Sequence, residues 1–351
     1  MSFRILDIDP NSSPKKILDK YVAFFDKLQK EHSPKDPLTP KEIQLKRMKV
    51  ERAGEIRIRK AVLFEKRNII VARLYMLYFT EESHEFEKNK HIVYLDINIL
   101  KEFKDSDVAQ ELLLSALEII KQNDLITTLE VCSVYQRDWE FWEKLGLELT
   151  IEEGVNRLYL DETNWDLMKE WVEEGQKRAQ KEEIEIIAFK ECPDELIEEY
   201  TALYTEILKL VPFGDSAWAP SDISSKTLRE IEEKHRERGY DWWILVTKEK
   251  DGNLSAITEI YFSPDTAHRV SQELTGVKLG NRDRGLGKWL KAEMLFYIKE
   301  NLPKTIFVQT GNADFNAPML SINERMGFKR HLSEKCYKIK IEELEKNLKQ
   351  L

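Results

Sequence analysis

The stretch Leu274–Leu295, LTGVKLGNRDRGLGKWLKAEML, decides how the rest of the chain is read. An extended run, Ser271 to Val277, gives way to a glycine-interrupted turn and then to a helical repeat entered at Arg282-Asp-Arg-Gly285-Leu-Gly287. The first backbone N–H groups of such a helix have no intrahelical partner, and the helix dipole adds positive potential at the same end. A turn of this kind is an anion site, where glycine lets a phosphate come close without meeting a β-carbon. A purely structural glycine turn is the alternative. A dinucleotide-binding turn would want G-x-G-x-x-G after the first strand of its unit and an acidic residue about 20 positions on, and neither the spacing nor the long hairpin that precedes the turn fits.

Working outward, the turn belongs to a series of elements. Strand Ile184–Phe189, helix Asp194–Leu210, the loop VPFGDSAWAP and helix Thr227–Arg238 come first. A hairpin about Asp251-Gly252 follows, then the quoted stretch, strand TIFVQT, helix Ala317–Met326 and a closing pair of strands. The first half has the same order: helix Pro14–Glu31, a helix capped by Thr39, hairpin Ile56–Phe64 and Ile69–Phe79, strand Ile92–Leu100, helix Asp107–Gln122, strand Thr127–Ser133 and a short helix ending at Leu145. Lys104 and Arg282 lie 178 residues apart, Tyr78 and Tyr261 183, and Gly146 and Gly327 181. A period this steady predicts two copies of one α/β domain. The boundaries expected are 1–162, a linker helix over 163–183 and 184–351, with the charged Lys177–Glu183 run a solvated face.

Composition excludes other classes. With 351 residues, 42% hydrophobic and 34% charged, the chain has enough apolar surface for two cores and too few Gly and Pro for disorder. A net charge of -9 provides no field to gather nucleic acid or anionic membrane. Cys132, Cys192 and Cys336 form no CxxC pair, so neither a disulfide framework nor a metal site is expected. The N-terminus has no leader-like apolar run, and no stretch approaches the ~20 apolar residues of a membrane span. The expectation is a cytoplasmic protein, monomer or homodimer.

The quoted stretch, followed by TGNADFNAPMLSINERMGF, resembles the acetyl-CoA signature of the GNAT acetyltransferase superfamily, in the tandem form that includes mycothiol synthase. Val277 stands five residues before Arg282, Asn316 follows the next strand, and Gly327-Phe328 closes the motif. The resemblance implies two GNAT-like domains, each a mixed, mostly antiparallel sheet flanked by helices. It further implies acetyl transfer from acetyl-CoA, without a metal, to a primary amine of a small molecule or peptide. Val277, Leu279, Arg282, Arg284, Gly285, Leu286, Gly287 and Lys288 would bind the cofactor's pantetheine and pyrophosphate, with Asn312, Asn316 and Asn323 on the pantetheine side. Asn323 stands where many relatives carry a tyrosine acid, and Tyr337 is a candidate substitute.

A base must take the ammonium proton. Glu259 lies in an apolar strand, and Glu273, four residues before Val277, shares its face if the strand alternates regularly. Phe213, Asp215 and Trp218, in the loop between two helices, are candidate substrate contacts. In the first half, Asp107 and Ala109 stand where Gly285 and Gly287 stand in the second, and Tyr135 stands for Asn316. That half is therefore expected to keep the fold without the cofactor. A CoA-binding sensor or interaction module without turnover is the alternative function.

Overall fold

The computed structural model describes residues 2–349. The first half runs β1 (Phe3–Asp7), α1 (Lys15–His32), α2 (Lys41–Lys49), β2 (Glu55–Phe64), β3 (Ile69–Phe79), α3 (Phe86–Asn89), β4 (Ile92–Ile99), α4 (Val108–Ile120), β5 (Thr128–Ser133), α5 (Gln136–Lys144) and β6 (Glu148–Tyr159). The second runs α6 (Trp165–Glu182), β7 (Glu185–Phe189), α7 (Ile197–Lys209), α8 (Ser225–Glu237), β8 (Asp241–Lys248), β9 (Leu254–Phe262), β10 (Arg269–Val277), α9 (Leu286–Asn301), β11 (Phe307–Ala313), α10 (Ala317–Met326), β12 (Lys329–Lys340) and α11 (Ile341–Leu348).

Two compact units result, and they are not two consecutive segments. One comprises 1–152, 213–219 and 334–351; the other 153–212 and 220–333. In the first unit β1, β2, β3 and β4 pair antiparallel in turn, β4 pairs parallel with β5, and β5 pairs antiparallel with β12. In the second, β7, β8, β9 and β10 repeat that meander, β10 is parallel to β11, and β11 pairs with β6. The halves thus exchange their last strands, which no reading of local periodicity detects because periodicity does not name a strand's partner.

Four local expectations need correction. The closing pair of strands is one strand, β12, followed by α11. The segment Glu148–Tyr159, left without an assigned element by the sequence pattern, is a 12-residue strand. Helix α2 starts at Lys41 with Pro40 in the cap position and no capping side chain, so Thr39 plays no such part. Cys132 and Cys336 face each other directly across β5 and β12 and are joined as a disulfide, while Cys192 is free and buried. The two half-cystines lie 204 residues apart. Only the exchanged strand brings them together. Among the described residues no helix is long and apolar enough to cross a membrane.

The second unit has a core on each sheet face. Ala256, Ile260 and Val270 pack with Trp171 of α6 and Trp289 and Leu290 of α9, while the alternate residues Ile244, Val246 and Ile257 pack with Tyr200 and Leu203 of α7 and Leu228 of α8. Helix α6 therefore belongs to the second unit's core. Gly175 makes this possible, because a Cβ there would lie 2.1 Å from the Trp289 ring. Gly175→Ala would gain about 1 kcal/mol of helix propensity, but overpacking costs about 1–3 kcal/mol. The variant is expected to unfold at lower denaturant than the wild type; an unchanged or higher midpoint would mean that α6 and α9 are not held at this contact.

Candidate active site

Strands β10 and β11 pair at only three positions, Arg269 with Phe307, Val270 with Val308 and Ser271 with Gln309. Beyond these, β10 follows β9 and β11 follows β6. The cause lies in β10. Gln272 opposes Ile260 and Thr275 opposes Thr258, so three steps on β10 match two on β9 and one residue is extra. Such a bulge bends and twists the strand, opening a wedge between two strands that began as a parallel pair.

The bulge also changes which residues share a face. Gln272, Thr275 and Thr258 bond to one another on one side, with Val277 two residues beyond Thr275. Glu273 falls instead on the opposite side, with Glu259. This corrects the expectation that Glu273 shares Val277's face, because alternation holds only along an unbroken ladder.

At the wide end of the wedge, Asp283 (φ 61°) and Gly285 (φ 71°) turn the chain into α9. The first bond into the helix runs from Trp289 N–H to Gly285 O, leaving the N–H groups of Leu286, Gly287 and Lys288 ahead of the ladder. A Cβ on Gly287 would meet only Val277 Cγ2, at 3.6 Å. Packing thus makes no demand for glycine at this position, and the open space above it suits a phosphate resting on backbone donors. The residues present therefore fit the pyrophosphate of a CoA-type cofactor.

The side chains of the turn are differently employed. Arg284 is forked between Glu182 (2.5 and 2.9 Å) and Glu249 (2.9 Å), which bind it to α6 and to the β8–β9 hairpin. Lys288 pairs with Glu174 at 2.5 Å. These partners raise the Arg284 pKa, through Glu249 first, and lower those of Glu182 and Glu174. Arg282 reaches back to the Val277 carbonyl at 3.4 Å, and Leu279 is exposed.

On the α7–α8 face, Glu259 is fully buried. Trp242 Nε1–H donates to it at 2.8 Å, the Leu274 N–H, turned out of the ladder by the bulge, at 3.2 Å, and the Tyr204 hydroxyl also bonds to it. Burial, then the neighbouring Glu273, pushes its pKa up to about 8. Glu273 is exposed in side-chain area, yet enough protein surrounds its carboxyl that burial raises its pKa too. Sequence reading found both carboxylates and missed Trp242, Tyr204 and the Leu274 amide.

Asn312 and Asn323 meet across β11 and α10, Asn323 Nδ2 donating to Asn312 Oδ1 at 2.6 Å. Asn323 is 1% exposed and its Oδ1 has no partner among the described residues, leaving a buried acceptor unmet. Asn316 caps α10 by position, without a side-chain bond. Through the strand exchange Tyr337 belongs to the first unit, where it is buried, donates to Glu143 at 2.8 Å and has its pKa raised by burial. The loop 213–219 also belongs to the first unit. Ser216 Oγ and Ala217 N–H donate to Glu130, Ala219 N–H donates to Asn89 Oδ1, and the Asp215 N–H donates to Thr150 O. Phe213 and Trp218 pack edge to face at 4.7 Å.

The first unit repeats the wedge and fills it. Its β4 and β5 also pair at three positions and then part. Asn98 of β4 accepts from Arg73 at 2.7 Å and bonds to Asp138 of α5, which accepts from Ser133 of β5 at 2.7 Å. The Arg137 guanidinium takes the Ile99 carbonyl at 2.7 Å, and Ile99 is the counterpart of Val277 at the 178-residue offset. Buried side chains thus occupy the backbone positions that stand open in the second unit. Burial pushes Asp138 up to about 6, although Ser133 and Arg137 oppose it.

No protein-family model matches the chain, and no curated protein matches it in sequence. Solved structures do. A tandem GNAT protein from the clavulanic acid biosynthesis pathway, determined without AcCoA, has a TM-score of 0.76 at 15% identity, covering 97% of this chain and 99% of that one. A GCN5-related N-acetyltransferase from Sphaerobacter thermophilus has a TM-score of 0.64 at 13% identity over 97% and 96% of the two chains. The GCN5-related glucosamine N-acetyltransferase region of a fungal multi-domain GH3 β-N-acetylglucosaminidase also scores 0.64, at 14% identity, over 96% of this chain and 38% of that one. At these identities the likeness is one of fold: the chain shares its two-domain mixed α/β architecture with tandem GNAT proteins.

Proposed function

We propose that the second unit transfers an acetyl group from acetyl-CoA to a primary amine of a small molecule or peptide, both bound at once. The observation that carries this reading is the wedge between β10 and β11, with free helix donors at Gly287 at one end and the carboxylates Glu259 and Glu273 on the far face. The N–H groups of Leu286 to Lys288 would take the pyrophosphate, and the Val277 main chain and Asn323 Oδ1 the amides of the pantetheine. When bound, acetyl-CoA supplies a thioester carbonyl: the amine nitrogen forms the new C–N bond, the C–S bond breaks and the sulfur leaves as a thiolate.

The chain's part is to manage protons and exclude competing positions. An arriving ammonium has to lose a proton, and a carboxylate with a pKa near 8 is better matched to it than one at 4.5. Glu259 lies behind Trp242 and Tyr204, so Glu273, nearer water, relays to it. Asn323 has no ionisable proton for the thiolate, and water supplies it. That same residue is what favours the second reading, a CoA-binding module without turnover.

Two outcomes test the proposal. Gly287→Ala should keep the fold, since a Cβ there meets only Val277 Cγ2 at an ordinary 3.6 Å, while CoA affinity measured by calorimetry falls at least about tenfold; undiminished affinity would remove the turn from the site. Between about pH 4.5 and 8 the folded chain retains a proton on Glu259 that the unfolded chain has lost, so this group's contribution to stability falls as pH rises through that window. Glu259→Gln should flatten that slope in denaturant melts. If Glu259 is the base, the wild-type rise of kcat/KM towards pH 8 with an amine acceptor should vanish in the same variant. An unaltered pH profile would exclude Glu259 as the base, and no turnover at any pH would favour the binding module.

A further inference from the structure

Beside the glycine turn lies a cavity of about 280 Å³ whose walls come from three elements: Glu174 and Arg178 of α6, Asp283, Arg284 and Lys288 of the turn and α9, and Arg325 of α10. Four of these six residues are cationic, and their charges are unequally met. Arg284 is fully occupied by Glu182 and Glu249, and Lys288 by Glu174. Among the described residues Arg178 pairs only with Glu182, at 3.4 Å, whose other oxygen already accepts both bonds from Arg284. Arg325 has no ion pair among the described residues; its guanidinium lies 4.7 Å over the Trp171 ring, with Lys288 5.6 Å from the same ring. Two cations share one buried aromatic while a single carboxylate serves them. Arg178 and Arg325 are thus the two cations of the wall least engaged by carboxylates, with their N–H donors left for an anion beside Asp283.

Resting on the CoA reading, we infer that this cavity takes the 3′-phosphate of the cofactor, held by Arg178 and Arg325. A CoA-type molecule carries two phosphate groups: a pyrophosphate, for which the backbone donors of α9 suffice, and a 3′-phosphomonoester that needs its own cations. Arg guanidinium is the side chain suited to a phosphate dianion, through paired N–H donors. Arg325 comes from α10, whereas Arg178 comes from α6, which precedes the repeated series of elements although it packs in the second unit's core. The charged Lys177–Glu183 run at the end of that helix, which the sequence pattern reads as a solvated face, thereby contributes Arg178 to the ligand site.

The test is calorimetry on the full chain with CoA, 3′-dephospho-CoA and 3′,5′-adenosine bisphosphate. Wild type should bind CoA about tenfold or more tighter than 3′-dephospho-CoA, the range of a charge-assisted bond. In Arg178→Gln/Arg325→Gln that ratio should fall toward one, with 3′-dephospho-CoA bound as before, and adenosine bisphosphate should compete only in the wild type. Equal wild-type affinity for the two cofactors would overturn the inference and leave the acetyl-CoA reading standing. An equal loss of both in the double variant would overturn it too, by assigning the arginines to structure. Absence of CoA binding in the wild type would instead overturn the parent reading.

Discussion

Everything at the site depends on how soon β10 and β11 part. Backbone N–H and C=O groups inside a sheet need partners, and a parallel ladder continued through Val277 would have used them on both sides. The bulge at Gln272–Thr275 ends the ladder after three pairs. An unpaired edge is normally covered or blunted. Here it opens onto a helix N-terminus with free donors, which suits a long, amide-bearing phosphate ester better than another strand. The same bulge turns the Leu274 N–H onto Glu259 and puts Glu273 beside it, so one inserted residue shapes both the channel and the carboxylate pair.

The first unit shows the same fold with its wedge closed by its own side chains. It has the same strand order and the same brief parallel pairing, and it solves the exposed-edge problem internally. Asn98, Asp138 and Ser133 bridge the gap, and Arg137 satisfies the Ile99 carbonyl. Such a network is stable only if each polar group is met, and here the plug is continuous. Asp107 at the head of α4, where the second unit has Gly285, adds a carboxylate where a phosphate would arrive. Loss of the site and retention of the fold are thus compatible in one chain.

Much of this was legible in the residues. The hairpins, the glycine-led helix and the 180-residue repeat follow from local pattern and turn chemistry, and Gly285 and Gly287 stand where the motif puts them. What was not legible is non-local. The bulge inverts the face of Glu273 without any mark in the alternation of SQELTGV. The exchange of β6 and β12 moves Tyr337 out of the second unit and pairs Cys132 with Cys336, because the identity of a strand's partner is set by the whole sheet. Arg284 and Lys288 look like phosphate ligands in a one-dimensional motif, and their carboxylate partners lie 35 to 114 residues away. Trp242 could have been found: the Asp251-Gly252 turn sets the hairpin register, which places it diagonal to Glu259 on the same face.

The central claim is that one fold occurs twice and the wedge is open once. Isothermal titration of the full chain with CoA measures this directly. The account predicts a single saturable site per chain. A stoichiometry of two would contradict it, since the first unit could then bind only by breaking the Asn98–Asp138–Ser133 bridge that fills its wedge.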